Sequence, residues 1–502
     1  LDELMKDHMH KNSPMKLNAA NLDAFPETIL RPRYVRAALR AGIVHIGVGN
    51  FHRGHQAWYL HRLMQQGLAH DWAIIGAGVR ATDATMRDKL LAQDCLTTLI
   101  ELSTNSSGAE IIGSMIDFLP VEDGNAALIA QLAQADIRIV SLTVTEGGYF
   151  IHPATKGFDA AHPDIVHDAA NPTTPRTAFG AIVAALKLRK EMGLGAFTAL
   201  SCDNLVSNGD ILRQTVVSLA HLSDPALADW IDNTCSFPNS MVDCIVPATG
   251  QNELALAKGF GVDDAAPVTH EDFRQWVIED HFCAGRPDWD KVGAQFTNDV
   301  HAFEAMKIRI LNGGHQVISV PAQVLGIDTI SGCMEHDLLG PLFLKIAHEE
   351  IAPHVDAVPD MTPSAYVKLI QRRCANPMIV DTTRRVAFDG SSRHPGFVLP
   401  SIRDGLAAGT SIDGLALIEA AWARMCAGTR GDGAVIAPND PFWADLNVIA
   451  LRAKDDPAAW LSMTNIYGDL AENARFVAAF KTALRRIWAD GMSAAIQNYL
   501  SR

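Results

Sequence analysis

Closely spaced cysteines are missing from this chain. Its eight cysteines are scattered from Cys95 to Cys426, with no Cys-x-x-Cys pair. That spacing fits neither a zinc cluster nor a disulfide framework, so reduced thiols, a cytoplasmic location and no bound metal are expected. No apolar run approaches the roughly 20 residues that span a bilayer. Positive charge is also short: 42 Lys and Arg stand against 57 Asp and Glu, a net charge of −15. Nucleic acid and anionic membranes both reward Lys/Arg patches, so neither is an expected partner. A small neutral substrate is untouched by that argument. Residues 1–14 are polar and lack an apolar h-region. They are expected to be an appended segment ahead of a native start near Met15, not a signal peptide.

What is present is a chain of 502 residues, 48% hydrophobic and 20% charged. Two domains, or three, are expected of a soluble globular chain this long. Short apolar runs at Ile43–Val48, Trp72–Val79, Glu110–Met115, Ile137–Val144 and Gly195–Ser201 alternate with helical stretches such as His55–Gln66. Several end in glycine or polar residues, among them Thr145-Glu146-Gly147-Gly148 and Cys202-Asp203-Asn204. Strand–helix alternation of this kind predicts an α/β domain, a Rossmann-like doubly wound sheet, over 15–298. From 299 to 502 long helical patterns dominate: Ala302–Leu325, Leu338–Ile351, Ala365–Arg373, Ile412–Ala427 and Phe476–Leu500. A mostly α-helical substrate domain is expected there.

The first strand runs into Gly47-Val48-Gly49-Asn50-Phe51-His52-Arg53. Its two glycines suit a tight turn and a close approach of backbone to pyrophosphate, and the following helix start favours the anion. The third glycine of the dinucleotide fingerprint is replaced by His52. Near the end of the second strand, Asp83 is the only acid in Gly76–Asp83. A carboxylate there accepts from both ribose hydroxyls and repels a 2′-phosphate, which favours NAD. Arg80 pulls toward NADP, and a bland helix N-cap role for Asp83 is the alternative.

Lys307, Asn312 and His315 fall within nine residues, in Glu304-Ala-Met-Lys-Ile-Arg-Ile-Leu-Asn-Gly-Gly-His315. On an α-helix turning about 100° per residue, His315 lies about 80° and Asn312 about 140° from Lys307. Met306, Ile308, Ile310 and Leu311 imply a buried segment, where an unpaired ammonium is costly. A lysine whose ammonium is disfavoured by burial can act as a general base. Amides of Asn312 and Asn204 can donate to an oxyanion. Asn-Gly-Gly in mid-helix suggests close approach of the backbone to something.

Several motifs in order resemble the polyol-specific long-chain dehydrogenases, the mannitol 2-dehydrogenase family. They are IVHIGVGNFHRGHQA, SLTVTEGGYF, SCDNLVSNG, FPNSMVDCIVP, QWVIEDHFCAGRPDWDKVGAQF, MKIRILNGGH and DGSSRHPGF. The resemblance covers nearly the whole chain. It implies Lys307 as general base, Asn204 and Asn312 as oxyanion hole, His315 as a substrate holder and Glu304 on a proton path. It implies substrate contacts from Asp243 and Arg385, cofactor contacts along Gly47–Arg53 and at Asp83, Thr145 and Glu146, and no metal. Three positions depart from the family pattern. Cys244 follows the Met-Val-Asp motif where Arg is usual, Arg393 replaces Lys, and Thr82 precedes Asp83 where an acid can occur.

The expected reaction is NAD-dependent oxidation of a linear polyol to a ketose, D-mannitol to D-fructose first. D-arabinitol and D-sorbitol are competing substrates. Reduction of a keto-uronate such as fructuronate is a second reading, for which Arg385, Arg393 or His394 would supply the extra cation. A nucleotide sensor without chemistry has no reason to retain an oxyanion hole. A monomer is expected from family habit.

Overall fold

The computed structural model describes residues 13–103, 107–152 and 157–502. The expected appended segment falls, up to residue 12, outside the described residues. The chain divides into two compact units, Leu1–His301 and Ala302–Arg502.

Five strands build the central sheet of the first unit: β1 (Ala41–Ile46), β2 (Ala73–Ala77), β3 (Met115–Phe118), β4 (Ile139–Leu142) and β5 (Thr198–Ser201). All pair in parallel, in the order β3-β2-β1-β4-β5. This is the doubly wound arrangement, and its strand order reverses between β1 and β4. Both faces are covered. Val44 and Ile46 of β1 enter one core with Val140, Leu142, Phe179 and Ile182. Ile43 enters the other with Leu60, Leu63 and Trp276. Alternate side chains of a strand point to opposite faces, so His45 shares the face of Ile43.

The expected strand Glu110–Met115 is divided between two sheets. Ser107–Ile112 pairs antiparallel with Thr97–Leu102 in a small separate sheet, and the chain then turns into β3. Arg36 bonds to the bend: its guanidinium donates to the carbonyls of Gly113 (3.1 Å) and Met115 (2.8 Å). A Cβ at Gly113 would lie 2.9 Å from that side chain. Hydrophobic pattern alone does not record such a bend.

The second unit is helical around Asp413–Cys426, which is buried along almost its whole length. The expected helix Ala302–Leu325 is three pieces: α-helix Val300–Met306, a π-helical turn Lys307–Asn312 and α-helix Gly313–Leu325. Phe476–Leu500 is likewise two helices, Ala474–Asp490 and Met492–Leu500, parted by Gly491 at φ 86°. Among the described residues, no helix is long and apolar enough to cross a membrane.

Candidate active site

The carboxyl ends of β1 and β4 adjoin the glycine turn. Gly47 has φ 95°, and a Cβ there would fall 2.1 Å from the carbonyl oxygen of Thr143. Only glycine fits. Gly49 differs: among the described residues, its chain neighbours aside, nothing lies nearer to its missing Cβ than 4.0 Å. Its space is open to something other than the protein, as a backbone approaching a pyrophosphate requires. A cavity of about 340 Å³ lies here, lined by Gly47, Arg80, Asp83, Thr143, Thr145 and Arg176 among others.

Gly47, Asp83 and Thr145 therefore meet at one cavity. The Asp83 carboxylate accepts the backbone N–H groups of Val79 and Arg80 through Oδ2, both at 3.0 Å. It is the first residue of helix Asp83–Leu91 rather than its N-cap. It closes the turn after β2 and still lines the cavity. Thr145 has φ 68°, an outlying conformation for a β-branched residue. Asp203 holds it there, accepting the N–H groups of Val144 (3.0 Å) and Thr145 (2.8 Å). The same carboxylate accepts Tyr149 Oη at 2.7 Å. Burial, then this neighbouring charge, raises the Tyr149 phenol well above its ordinary pKa. The Glu146 side chain lies outside the described residues.

Other members of the turn spend their side chains inside the protein. Val48 is buried against Gly76 of β2. Phe51 stacks on His55, with ring centroids 4.9 Å apart. Asn50 Nδ2 donates to Pro247 O (2.9 Å) and Thr249 Oγ1 (2.8 Å), while its Oδ1 accepts from Arg53. Arg53 is fully buried and donates to the carbonyl of Ala266. Burial pushes its guanidinium down to about 10. His52, also fully buried, stacks on His45 with ring centroids 3.4 Å apart and planes at 11°. The side chains of these residues are thus engaged within the protein.

Asn204 follows β5 and is exposed, whereas Asp243 ends strand Ser240–Asp243 and is buried. Cys244 is buried next to it, within electrostatic reach of Arg274 and Tyr59. A cation thus stands near the position where the family pattern has arginine.

In the second unit Lys307 is only 8% exposed and begins the π turn, and Glu304 is 4% exposed. The backbone N–H of Gly313 reaches the carbonyl of Ile308, an i→i+5 bond. Such a turn is wider than an α turn, so Asn312, five residues after Lys307, lies much closer to it around the axis than the α-helical 140°. Asn312 and His315 are half-buried. Cys374 Sγ lies 3.5 Å from His315 Nε2. The two glycines that follow Asn312 make room for the protein itself. A Cβ on Gly313 would lie 2.9 Å from Phe397 O, and one on Gly314 would lie 2.5 Å from the Phe343 ring.

Arg385 forms a two-pronged pair with Asp381, Nε–Oδ1 2.6 Å and Nη2–Oδ2 2.5 Å. That carboxylate raises the guanidinium above its ordinary value. Arg393 donates to Val386 O at 2.5 Å and Arg385 O at 3.4 Å, which brings the two arginines together. His394 is fully buried, stacked on Trp422 and paired through Nδ1 with Glu419 at 2.7 Å. Among the described residues no group of three or more His, Cys, Asp or Glu could hold a metal ion.

Sequence reasoning passed over Thr143, Asp203 and Cys374. Thr143 and Asp203 stood inside quoted motifs, at strand ends where polar residues gather. Cys374 carried no local signal, because only folding brings its helix beside His315.

Two family models match the chain: the mannitol dehydrogenase Rossmann domain over residues 41–291 and the mannitol dehydrogenase C-terminal domain over 299–488. Mannitol 2-dehydrogenase of Cereibacter sphaeroides is 55% identical over 474 residues, covering 94% of this chain and 99% of that protein. A solved structure of Pseudomonas fluorescens mannitol 2-dehydrogenase, a ternary complex with NAD and D-mannitol, is 39% identical with TM-score 0.86. It covers 97% of this chain and 100% of that one. A D-sorbitol dehydrogenase in substrate-free form is 32% identical with TM-score 0.89, covering 96% of this chain and all 100% of its own.

Proposed function

Because the chain belongs to the mannitol dehydrogenase family, we propose that it oxidises D-mannitol to D-fructose with NAD. The observation that carries this reading is the 55% identity, over 94% of the chain, to a mannitol 2-dehydrogenase. The buried lysine on its π turn and the open space at Gly49 are what the chemistry asks for.

The cavity residues Gly47 and Asp83, with the open space beside Gly49, fit a dinucleotide. The two glycines let the backbone approach a pyrophosphate, and Asp83 receives a ribose hydroxyl on the oxygen not spent on Val79 and Arg80. Bound there, NAD supplies the acceptor for the hydride that leaves the alcohol carbon. Lys307 Nζ, in its neutral form, takes the proton of the reacting hydroxyl. The side-chain amides of Asn312 and Asn204 donate to the oxygen as negative charge develops on it. His315 bonds a hydroxyl of the polyol, and Glu304 carries the proton onward from Lys307. Asp243, Arg385, Arg393 and His394 serve the remaining hydroxyl pattern, directly or by holding the groups that touch it.

A panel of D-mannitol, D-sorbitol, D-arabinitol and D-mannonate, each with NAD and NADP and followed by coenzyme absorbance, tests the reading. The highest kcat/KM is expected for D-mannitol with NAD. Faster turnover of mannonate would replace polyol oxidation by keto-uronate chemistry. The likeness to a D-sorbitol dehydrogenase favours D-sorbitol as the next substrate. An active monomer completes the proposal, and sedimentation of the working enzyme checks it.

A further inference from the structure

A chain of hydrogen bonds crosses the point where the strand order of the central sheet reverses. Ser141 Oγ lies 2.7 Å from His45 Nδ1, His45 Nε2 lies 2.9 Å from Thr143 Oγ1, and Thr143 Oγ1 lies 2.6 Å from Gly47 O. Hydrogen counting orders it. The Gly47 carbonyl only accepts, so the single Thr143 hydrogen goes there. Thr143 then accepts from His45 Nε2–H. A neutral imidazole has one donor and one acceptor, so Nδ1 accepts from Ser141. Burial keeps His45 neutral, pushed down to about 3. Every hydrogen in the chain has an acceptor.

We propose that Thr143, oriented by His45 and Ser141, is a positioning residue for the cofactor, anchoring the Gly47 carbonyl and so setting the turn that receives the pyrophosphate. The Gly47 carbonyl also accepts Gly49 N–H at 2.8 Å. With two donors on that oxygen the Gly47–Val48 peptide has one orientation. In a planar trans peptide the Val48 N–H then points opposite to the carbonyl. Thr143 and Gly47 line the same cavity as Asp83. His52 completes the device. It stands where the fingerprint has its third glycine, and its ring lies flat on His45, closing the space in which that imidazole could turn. A glycine there would leave His45 without this support.

This inference rests on the NAD reading, and the test separates the two. NAD dissociation constants are measured by calorimetry for wild type, Thr143→Val and Thr143→Ser, alongside kcat and both KM values. Valine keeps the shape and removes the hydroxyl. It leaves a buried donor and a carbonyl short of a partner, and about a tenfold weakening of NAD binding is expected. Serine restores binding to within about twofold, while kcat at saturating NAD and the KM for D-mannitol stay within about twofold in both. Wild-type protein that binds no NAD would sink the NAD reading itself. Wild-type-like NAD binding by Thr143→Val overturns only the positioning role, as does an equal loss in kcat and mannitol KM, or a serine variant no better than valine. If Thr143→Val does not fold, Ser141→Ala removes the far end of the chain. It is then expected to weaken NAD binding with kcat unchanged, and unchanged binding would overturn the proposal.

Discussion

Gly49, at the cap of the helix after β1, and Gly314, in the first turn of helix Gly313–Leu325, meet opposite surroundings. Next to Gly49 no described residue beyond its chain neighbours stands closer than 4.0 Å to the missing Cβ, whereas beside Gly314 the Phe343 ring would be 2.5 Å away. The space beside the first glycine is open, as the proposed NAD site requires. The second lets a neighbouring helix close on the lysine turn and hold it. A glycine pair in a sequence says that backbone approaches something; only the fold says whether that is ligand or protein.

The units also differ in which buried histidines and carboxyls are shifted. His45, His52, His61 and His270, all in the sheet unit, are driven below the ordinary histidine range chiefly by burial. The helical unit buries Glu350, whose carboxyl is raised, with burial again the largest cause. It is held by the N–H groups of Gly414 and Leu415 and by Tyr499.

The sharpest test of the contrast is Lys307→Ala. If the lysine turn serves chemistry and the glycine turn serves binding, turnover falls by about 10²–10⁴ while NAD affinity is kept. Small added amines should restore part of the rate. A variant with near-wild-type turnover would remove Lys307 from the role of base.

Acid should separate the units next. A histidine whose folded pKa is depressed binds its proton mainly when unfolded, so it costs stability as pH falls from about 6.5 toward its folded value. For His45 and His270 that window runs down to about 3. The slope is about 1.4 kcal/mol per pH unit for each such histidine. Glu350 has the opposite sign, since a raised carboxyl favours the fold at low pH and loses that contribution as pH rises. Segment-resolved hydrogen exchange between about pH 7 and pH 5 should show the sheet unit loosening more. Equal loosening in both would break the comparison.

Gly314→Ala should lower the denaturation midpoint by an amount worth about 1–3 kcal/mol, as overpacking does. Gly49→Ala is the smallest and most selective change. Gly49 has φ −90°, which alanine adopts freely. The midpoint should hold while the NAD dissociation constant rises about tenfold. A folding defect in Gly49→Ala with intact NAD binding would reverse the assignment of the two glycines.

Much of this was legible in the residues. The strand–helix alternation, the glycine turn and the buried texture around Lys307 all reflect local patterns that the chain carries wherever it folds. The single long helix through Lys307 was misjudged because periodicity is nearly the same for an α-helix and one holding a π turn. Glu110–Met115 reads as one strand because the bend within it is bonded to Arg36, far away in sequence, which local pattern does not record. Thr143 was invisible as an anchor, since its partners are Gly47 and His45 on another strand.

By itself the sequence determined most of the strand–helix alternation, where a tight glycine turn falls, and which lysine lies in a buried segment. These follow from side-chain period, backbone freedom and the cost of a dry ammonium, all properties of short stretches. Tertiary structure alone decided the strand order that puts Gly47 beside Thr143. It also decided the hydrogen-bond partners of His45 and whether the space beside each glycine is filled by protein. Those depend on partners tens to hundreds of residues away, whose meeting no local pattern encodes.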